Sequence, residues 1–390
     1  MSSPPTLSVP PRLHGIDALR GVLACGVMTY HYLHWTSLSL GTWGDRISQS
    51  IGLYAVEAFF VISGMSLAFA YRNTDFAQPR ALGQFAIRRF FRIAPLFYLV
   101  LAATLILKGI AVLVLHTPGV ELPSADRLLG NLSLLFGLTG PEQSLVIAGW
   151  SIGVEMVFYL LFPALAWTFD RKSRLGKGLI CGTAAAIGIL FGSVLLPGGQ
   201  DWSVYANVTN HLPFFVAGML LARWTAGGDM QRGACPNRTQ WSLLVVLALF
   251  SLISVATPDE NLLVCGWRRD LLAVLTIGMV GLVAMNGAPH RSGWRSEMGR
   301  RLGDWSFSIY LTHFLSFTVL QQALPRDRPV LLMAAAMTAT VVASAGVFRW
   351  LEVPMISLGK RVAQRWCAVS AGPLPFEAKT TDRVVSRTAA

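Results

Sequence analysis

The sequence predicts an all-α, polytopic membrane protein, with about ten transmembrane helices and both termini cytoplasmic. Three observations carry that reading. Charged residues make up 13% of the chain and hydrophobic ones 53%, whereas soluble domains are about 25% charged. Apolar runs recur from one end to the other, many near the roughly 20 residues that cross a hydrocarbon core. Most Lys and Arg residues fall in loops assigned to a single side, as the positive-inside rule expects. The net charge of +12 therefore reports topology, and no nucleic-acid partner is expected.

Taken in order, residues 1–13 are polar and proline-rich, and are expected to be disordered. The first span, 14–35, reads HGIDALRGVLACGVMTYHYLHW. It runs on into aromatic residues instead of a small-residue cleavage site, so it is expected to be retained. Span two covers 51–71 and ends in a basic stretch, 72–92. Span three covers 93–115 and is preceded by IRRFFRIAP. An apolar segment at 128–138 is too short to cross alone. Spans four to six are placed at 146–169, 178–196 and 211–224, the last short and holding a proline. Spans seven to ten are placed at 241–256, 271–285, 302–324 and 330–350. The transmembrane domain is thus 14–356, and 357–390 reads as a basic cytoplasmic tail. Cys25, Cys181, Cys235, Cys265 and Cys367 are scattered, without the spacing of a disulfide framework or a zinc site. No metal is expected.

Polar residues inside these spans are costly and mark a cavity, a pathway or a reacting site. Arg20 and His31 are eleven residues apart, about three helical turns, and so share one face about 16 Å apart along the axis. Counting depth along alternating spans puts His31, Glu57, Glu155 and His211 in the outer half. Arg20, Arg88, Arg89, Arg92 and Asp304 fall in the inner half, giving one polar cluster at each mouth. Three arginines within five residues suit a polyanionic ligand, because guanidinium groups grip phosphates in a bidentate way. They equally suit lipid headgroups. A histidine near a carboxylate in a dry cavity can act as a general base on a hydroxyl. Glu57 and Glu155 could instead be protonated or hydrogen-bonded between helices. The chain has no Walker A motif, no H-E-x-x-H motif and no nucleophile elbow around Ser63.

The order of motifs resembles the integral-membrane acyltransferase 3 family, which O-acylates bacterial surface carbohydrates and some secreted small molecules. The matching pieces are LHGIDALRGVLACGVMTYHY, EAFFVISGMSLAF, FAIRRFFRIAPLFYLV, GWSIGVEMVFYLLFP, LPFFVAGMLLA, LGDWSFSIYLTH and LEVPM. The likeness runs from residue 12 to about 358, nearly the whole chain. Its most specific signature, arginine and histidine separated by ten residues, is filled by Arg20 and His31. An R-x-x-R motif is filled by Arg89 and Arg92. The resemblance implies acyl transfer from cytoplasmic acyl-CoA, with acetyl-CoA as donor substrate, to a hydroxyl beyond the outer leaflet. It implies His31 as catalytic residue, and Arg20, Arg88, Arg89 and Arg92 as donor-binding residues. Glu155 occupies a carboxylate position typical of the family, Glu57 stands where many relatives have an aspartate, and both are expected to act with His31 as catalytic residues. The short tail leads us to expect no hydrolase-like C-terminal domain of the kind some relatives carry. The expected acceptor is a cell-envelope or exported polysaccharide, with membrane lipids and polysaccharide-synthesis proteins as possible partners in a bacterial inner membrane. A lipid-linked or secreted small molecule such as a macrolide is the alternative acceptor. A solute transporter is the alternative class, although no matched halves are visible.

Overall fold

The computed structural model describes residues 14–171, 174–195, 202–226, 236–285, 294–325 and 327–370. Among them every regular element is helical, as expected of a chain that must satisfy its backbone groups locally in lipid. The long helices are α1 (His14–Thr36), α2 (Gly41–Ala70), α3 (Pro79–Leu113), α6 (Trp150–Arg171), α7 (Arg174–Leu190) and α9 (Val208–Ala226). They continue with α10 (Pro236–Ala256), α11 (Gly266–Met285), α12 (Trp294–Ala323), α13 (Pro329–Val347) and α14 (Val353–Ser370). Short helices α4 (Ala125–Ser133), α5 (Phe136–Thr139) and α8 (Trp202–Tyr205) lie between them. Proline at the first position starts α3 and α13, where its missing N–H costs nothing.

The centre of the bundle is α2, which packs against α1, α6, α9, α10 and α11. Its closest neighbour is α9, and glycine permits the approach. A Cβ on Gly64 would strike the carbonyl of Phe215, and one on Gly218 would strike that of Val61. Small residues let helix backbones meet in lipid, where van der Waals packing replaces the hydrophobic effect. On the other side α1 crosses α12 in the same way, with Gly303 against the backbone of Asp17.

Outward faces are apolar. Leu99, Ile106, Leu160, Leu179, Val245 and Val342 are all exposed, a distribution suited to lipid rather than water. Six segments among the described residues are long and apolar enough to cross a membrane: Gly41–Ala70, Pro79–Leu113, Trp150–Phe169, Gly176–Leu195, Arg238–Ala256 and Pro329–Trp366. Length and composition thus support six of the expected ten spans. The other four expected spans fall on α1, α9, α11 and α12, which are helical. These helices carry Arg20 and His31, Asn210 and His211, Arg269, and Ser308 and His313 into the interior.

Two boundaries move. Helix α3 begins at Pro79, well before the expected start at 93, so the arginine run lies within the helix. The segment read as a tail from 357 begins instead as part of α14, which lies along α3. There Gly359 meets Phe91, and Gly83 meets Trp366. The short apolar segment near 128–138 forms α4 and α5, and does not cross. Phe136 stacks on Phe97 with ring centroids 5.8 Å apart, tucking α5 against α3. Residues 1–13 and 371–390 lie outside the described residues.

Candidate active site

A cavity of about 750 Å³, its open mouth included, lies where α1, α2, α3, α6 and α12 converge. Its polar wall includes Arg20, Ser63, Arg89, Arg92, Glu155 and Tyr159. The two arginines of α3 reach one cavity because they are three residues apart on a helix. Phe90 between them is exposed. Arg88 does not line this cavity.

Each charge is held in a specific way. The Glu155 carboxylate accepts from the Ser63 hydroxyl at 3.0 Å and the Tyr159 hydroxyl at 2.6 Å, both to Oε1. Arg89 stands over the rings of Tyr71 and Tyr159, with its guanidinium carbon 5.6 and 5.7 Å from their centroids. Such placement orients a cation without neutralising it. Arg92 pairs with Glu352 at 3.0 Å and lies 5.7 Å from the centre of the Phe307 ring. Arg20 interacts electrostatically with Arg92, Glu155 and Asp17. The Nε atoms of Arg20 and Arg89 are buried with no hydrogen-bond partner among the described residues. Unmet buried donors cost about 1–3 kcal/mol each.

Glu155 was expected at the outer mouth with His31, yet it shares a cavity with the arginines. Counting residues assumes that every helix begins at the same depth. Helix α6 instead follows the buried α5 turn, and α3 starts early, so the two sets meet.

His31 lies at a second station. Its ring stacks on Trp35 with centroids 5.0 Å apart and on His313 at 5.2 Å. Trp35 and His313 in turn stack at 5.8 Å. His313 is fully buried, with its Nδ1 2.7 Å from the carbonyl of Tyr310. A carbonyl only accepts, so Nδ1 carries the proton and Nε2 is a lone pair. That Nε2 is buried without a partner among the described residues. Tyr32 fixes this turn by donating to the His313 carbonyl at 2.7 Å, and its oxygen lies 2.7 Å from the hydroxyl of Thr340. Tyr310 joins the two stations. It lines the cavity, hydrogen-bonds with Ser151 at 2.8 Å, and has its ring 6.3 Å from that of His313.

Glu57 is brought to neither station. It is 2% exposed, its Oε2 has no hydrogen-bond partner among the described residues, and Arg269 of α11 acts on it only through its field, since the ion pair of Arg269 is with Asp270 at 3.3 Å. Arg269 is itself buried, donating to the Gly188 carbonyl at 2.9 Å and to Asn210. His211, also buried, packs among Phe60, Trp150 and Tyr205. No described hydrogen bond or ion pair joins His31 to Glu57 or Glu155, so the expected histidine–carboxylate pair is replaced by stacked rings.

Three residues escaped the sequence reading. Glu352 lay within the quoted LEVPM motif and His313 within LGDWSFSIYLTH, but neither was given a role. Arg269 fell just outside the expected span at 271–285 and was given no role. No group of three or more His, Cys, Asp or Glu side chains could hold a metal among the described residues.

Several known proteins are similar to this chain over most of its length. Acyltransferase MdmB of Streptomyces mycarofaciens is 29% identical over 335 residues, covering 79% of this chain and 80% of its own length. Exopolysaccharide production protein ExoZ of Rhizobium meliloti is 28% identical over 83% of this chain and 95% of its own. Peptidoglycan O-acetyltransferase OatA of Listeria monocytogenes is 23% identical over 87% of this chain, which spans 55% of that longer protein. No solved structure matches. The acyltransferase domain model of the acyltransferase 3 family covers residues 13–349, taking in both the arginine cavity and the His31 station, so the chain belongs to that family and is a membrane acyltransferase rather than a transporter.

Proposed function

We propose that the protein moves an acetyl group from cytoplasmic acetyl-CoA to a hydroxyl of a cell-envelope or exported polysaccharide. One observation carries the reading. Three arginines converge on a single cavity that is separated by one side chain, Tyr310, from the ring stack holding His31. The acceptor class is supported by relatives named for peptidoglycan O-acetylation and exopolysaccharide production.

In this reading Arg20, Arg89 and Arg92 hold the phosphates of the donor, with Arg88 adding charge at the same end of α3. A planar guanidinium matches a phosphate better than an ammonium does. Glu155 orients the cavity by its hydrogen bonds with Ser63 and Tyr159 and keeps the arginines from repelling one another. His31 takes the proton of the acceptor hydroxyl as that oxygen attacks the thioester carbonyl. The C–O bond forms, the C–S bond breaks, and the thiolate of CoA leaves. A route in which His31 first carries the acetyl group uses the same residues. Glu57 sits buried in the core, outside the arginine cavity. The protein works in the bacterial inner membrane, with the arginine end toward the cytoplasm.

The test is transfer of labelled acetyl from acetyl-CoA to envelope glycan in membrane vesicles. Wild-type vesicles should label the glycan, and His31→Gln vesicles with equal protein should not. Label confined to a small lipid-soluble product would move the acceptor to the small-molecule class.

A further inference from the structure

A second polar recess opens beside His31, at the end of α1 away from the arginines. It is a cleft of about 730 Å³, mouth included, between the last turn of α1, the connecting turn and the first turns of α2. Its polar walls include Tyr30, His34, Ser37, Asp45, Ser48 and Gln49. The Tyr30 ring is 5.1 Å from the His31 ring and 6.4 Å from that of His34. The cleft therefore ends one side chain from His31.

The walls are built for hydroxyl groups. Ser48 and Gln49 sit two turns into α2, and neither side chain has a hydrogen-bond partner among the described residues. The connecting turn is held in a fixed shape. Asp45 accepts from the Ser39 hydroxyl at 2.6 Å and from the Leu40 N–H at 2.8 Å. Ser37, on the lip, has φ of 54°, a left-handed conformation that a serine adopts at a cost. A tethered, strained turn facing an open polar cleft is a feature of binding sites more than of idle loops.

We propose that this cleft receives the acceptor, a hydroxyl-rich carbohydrate whose ring lies against Tyr30 while Ser48, Gln49 and His34 take its hydroxyls. It rests on the acetyl-transfer reading above and adds the acceptor's place. Donor and acceptor then reach His31 from opposite sides, one past Tyr310 and the other past Tyr30. The mixed donors and acceptors of an amide, a hydroxyl and an imidazole match sugar hydroxyls. A cleft with no described cation facing it suits a neutral glycan better than a phosphate.

The experiment uses full-length protein with its five cysteines replaced, carrying a single Gln49→Cys or, as control, Glu121→Cys in the loop before α4. Intact cells are treated with a bulky, membrane-impermeant maleimide. Acetyl transfer to the cells' own glycan and acetyl-CoA binding by the purified protein are then measured. Modification of Gln49→Cys should reduce transfer at least tenfold and leave acetyl-CoA affinity within twofold, while modified Glu121→Cys keeps full transfer. The smaller change Ser48→Ala/Gln49→Ala should raise the half-saturating amount of glycan several-fold without moving that of acetyl-CoA. Persistent transfer after complete labelling, no labelling in intact cells, or an unmoved glycan requirement in the double variant would each overturn the proposal. If unmodified wild-type protein transfers no acetyl to glycan, the functional reading itself fails, an outcome distinct from active enzyme that ignores the label.

Discussion

Arg92 of α3 and Glu352, in the π-helical turn before α14, form an ion pair at 3.0 Å although 260 residues separate them in the chain. The pair ties the C-terminal helix to the wall of the arginine cavity. The Glu352 side chain is 1% exposed and that of Arg92 is 23% exposed. Ser308 donates to the other carboxylate oxygen, so Glu352 is satisfied on both sides. Glu352→Ala should lower stability by about 2 kcal/mol, less than the 3–5 kcal/mol of a fully buried pair because water reaches Arg92. Thermal unfolding in detergent measures it. An unchanged midpoint would mean that α14 is held by apolar packing alone.

Arg89→Ala and Arg92→Ala should each weaken acetyl-CoA binding by about 10–100-fold, the loss of one charge-assisted hydrogen bond. The protein should remain inserted and folded. Lysine at these positions should recover part of the affinity, since it restores charge but lacks the planar fork. Calorimetric titration of acetyl-CoA reads both effects. Unchanged affinity in the double alanine variant would return these arginines to lipid contact.

His31→Ala and His31→Gln should lose transfer by about 10²–10⁴-fold, the contribution of a positioned general base. Acetyl-CoA binding should stay close to wild type, because neither change reaches the arginine cavity. A folded His31→Gln protein that transfers at the wild-type rate would remove His31 from the chemistry.

Stacking on His313 should matter through the position of His31. His313→Ala removes one wall of the stack and should lower the transfer rate about tenfold with little change in donor affinity. His313→Phe, which keeps a ring in the gap, should recover much of that rate. Equal loss in both variants would show that the unpartnered Nε2 of His313, and not the ring, is what the site needs.

Sidedness follows from the same geometry. Thr42→Cys, on the turn at the start of α2, should react with an impermeant thiol reagent in intact cells. Gln364→Cys, on the exposed face of α14, should react only after the membrane is opened. The reverse pattern would place the arginine cavity outside and separate it from cytoplasmic acetyl-CoA.

The sequence determined the helical class, the membrane setting and the family, because composition and linear motif order need no folding to be read. It also determined that Arg20, His31, Arg89 and Arg92 were the residues to watch, since ionisable groups in apolar helices stand out locally. What tertiary structure decided was which of them meet. Glu155 joined the arginines and left His31, because the depth at which a helix starts depends on what it packs against. Glu57 was left in the core away from both stations, and Arg269, outside the expected spans, became buried once α11 folded against α2 and α9. His313 and Glu352 took their places beside His31 and Arg92 only once α12 and the chain entering α14 had closed against α1 and α3. Contacts across hundreds of residues leave no local periodicity, and only close packing, set by glycines such as Gly64, Gly218 and Gly303, brings those side chains within bonding distance.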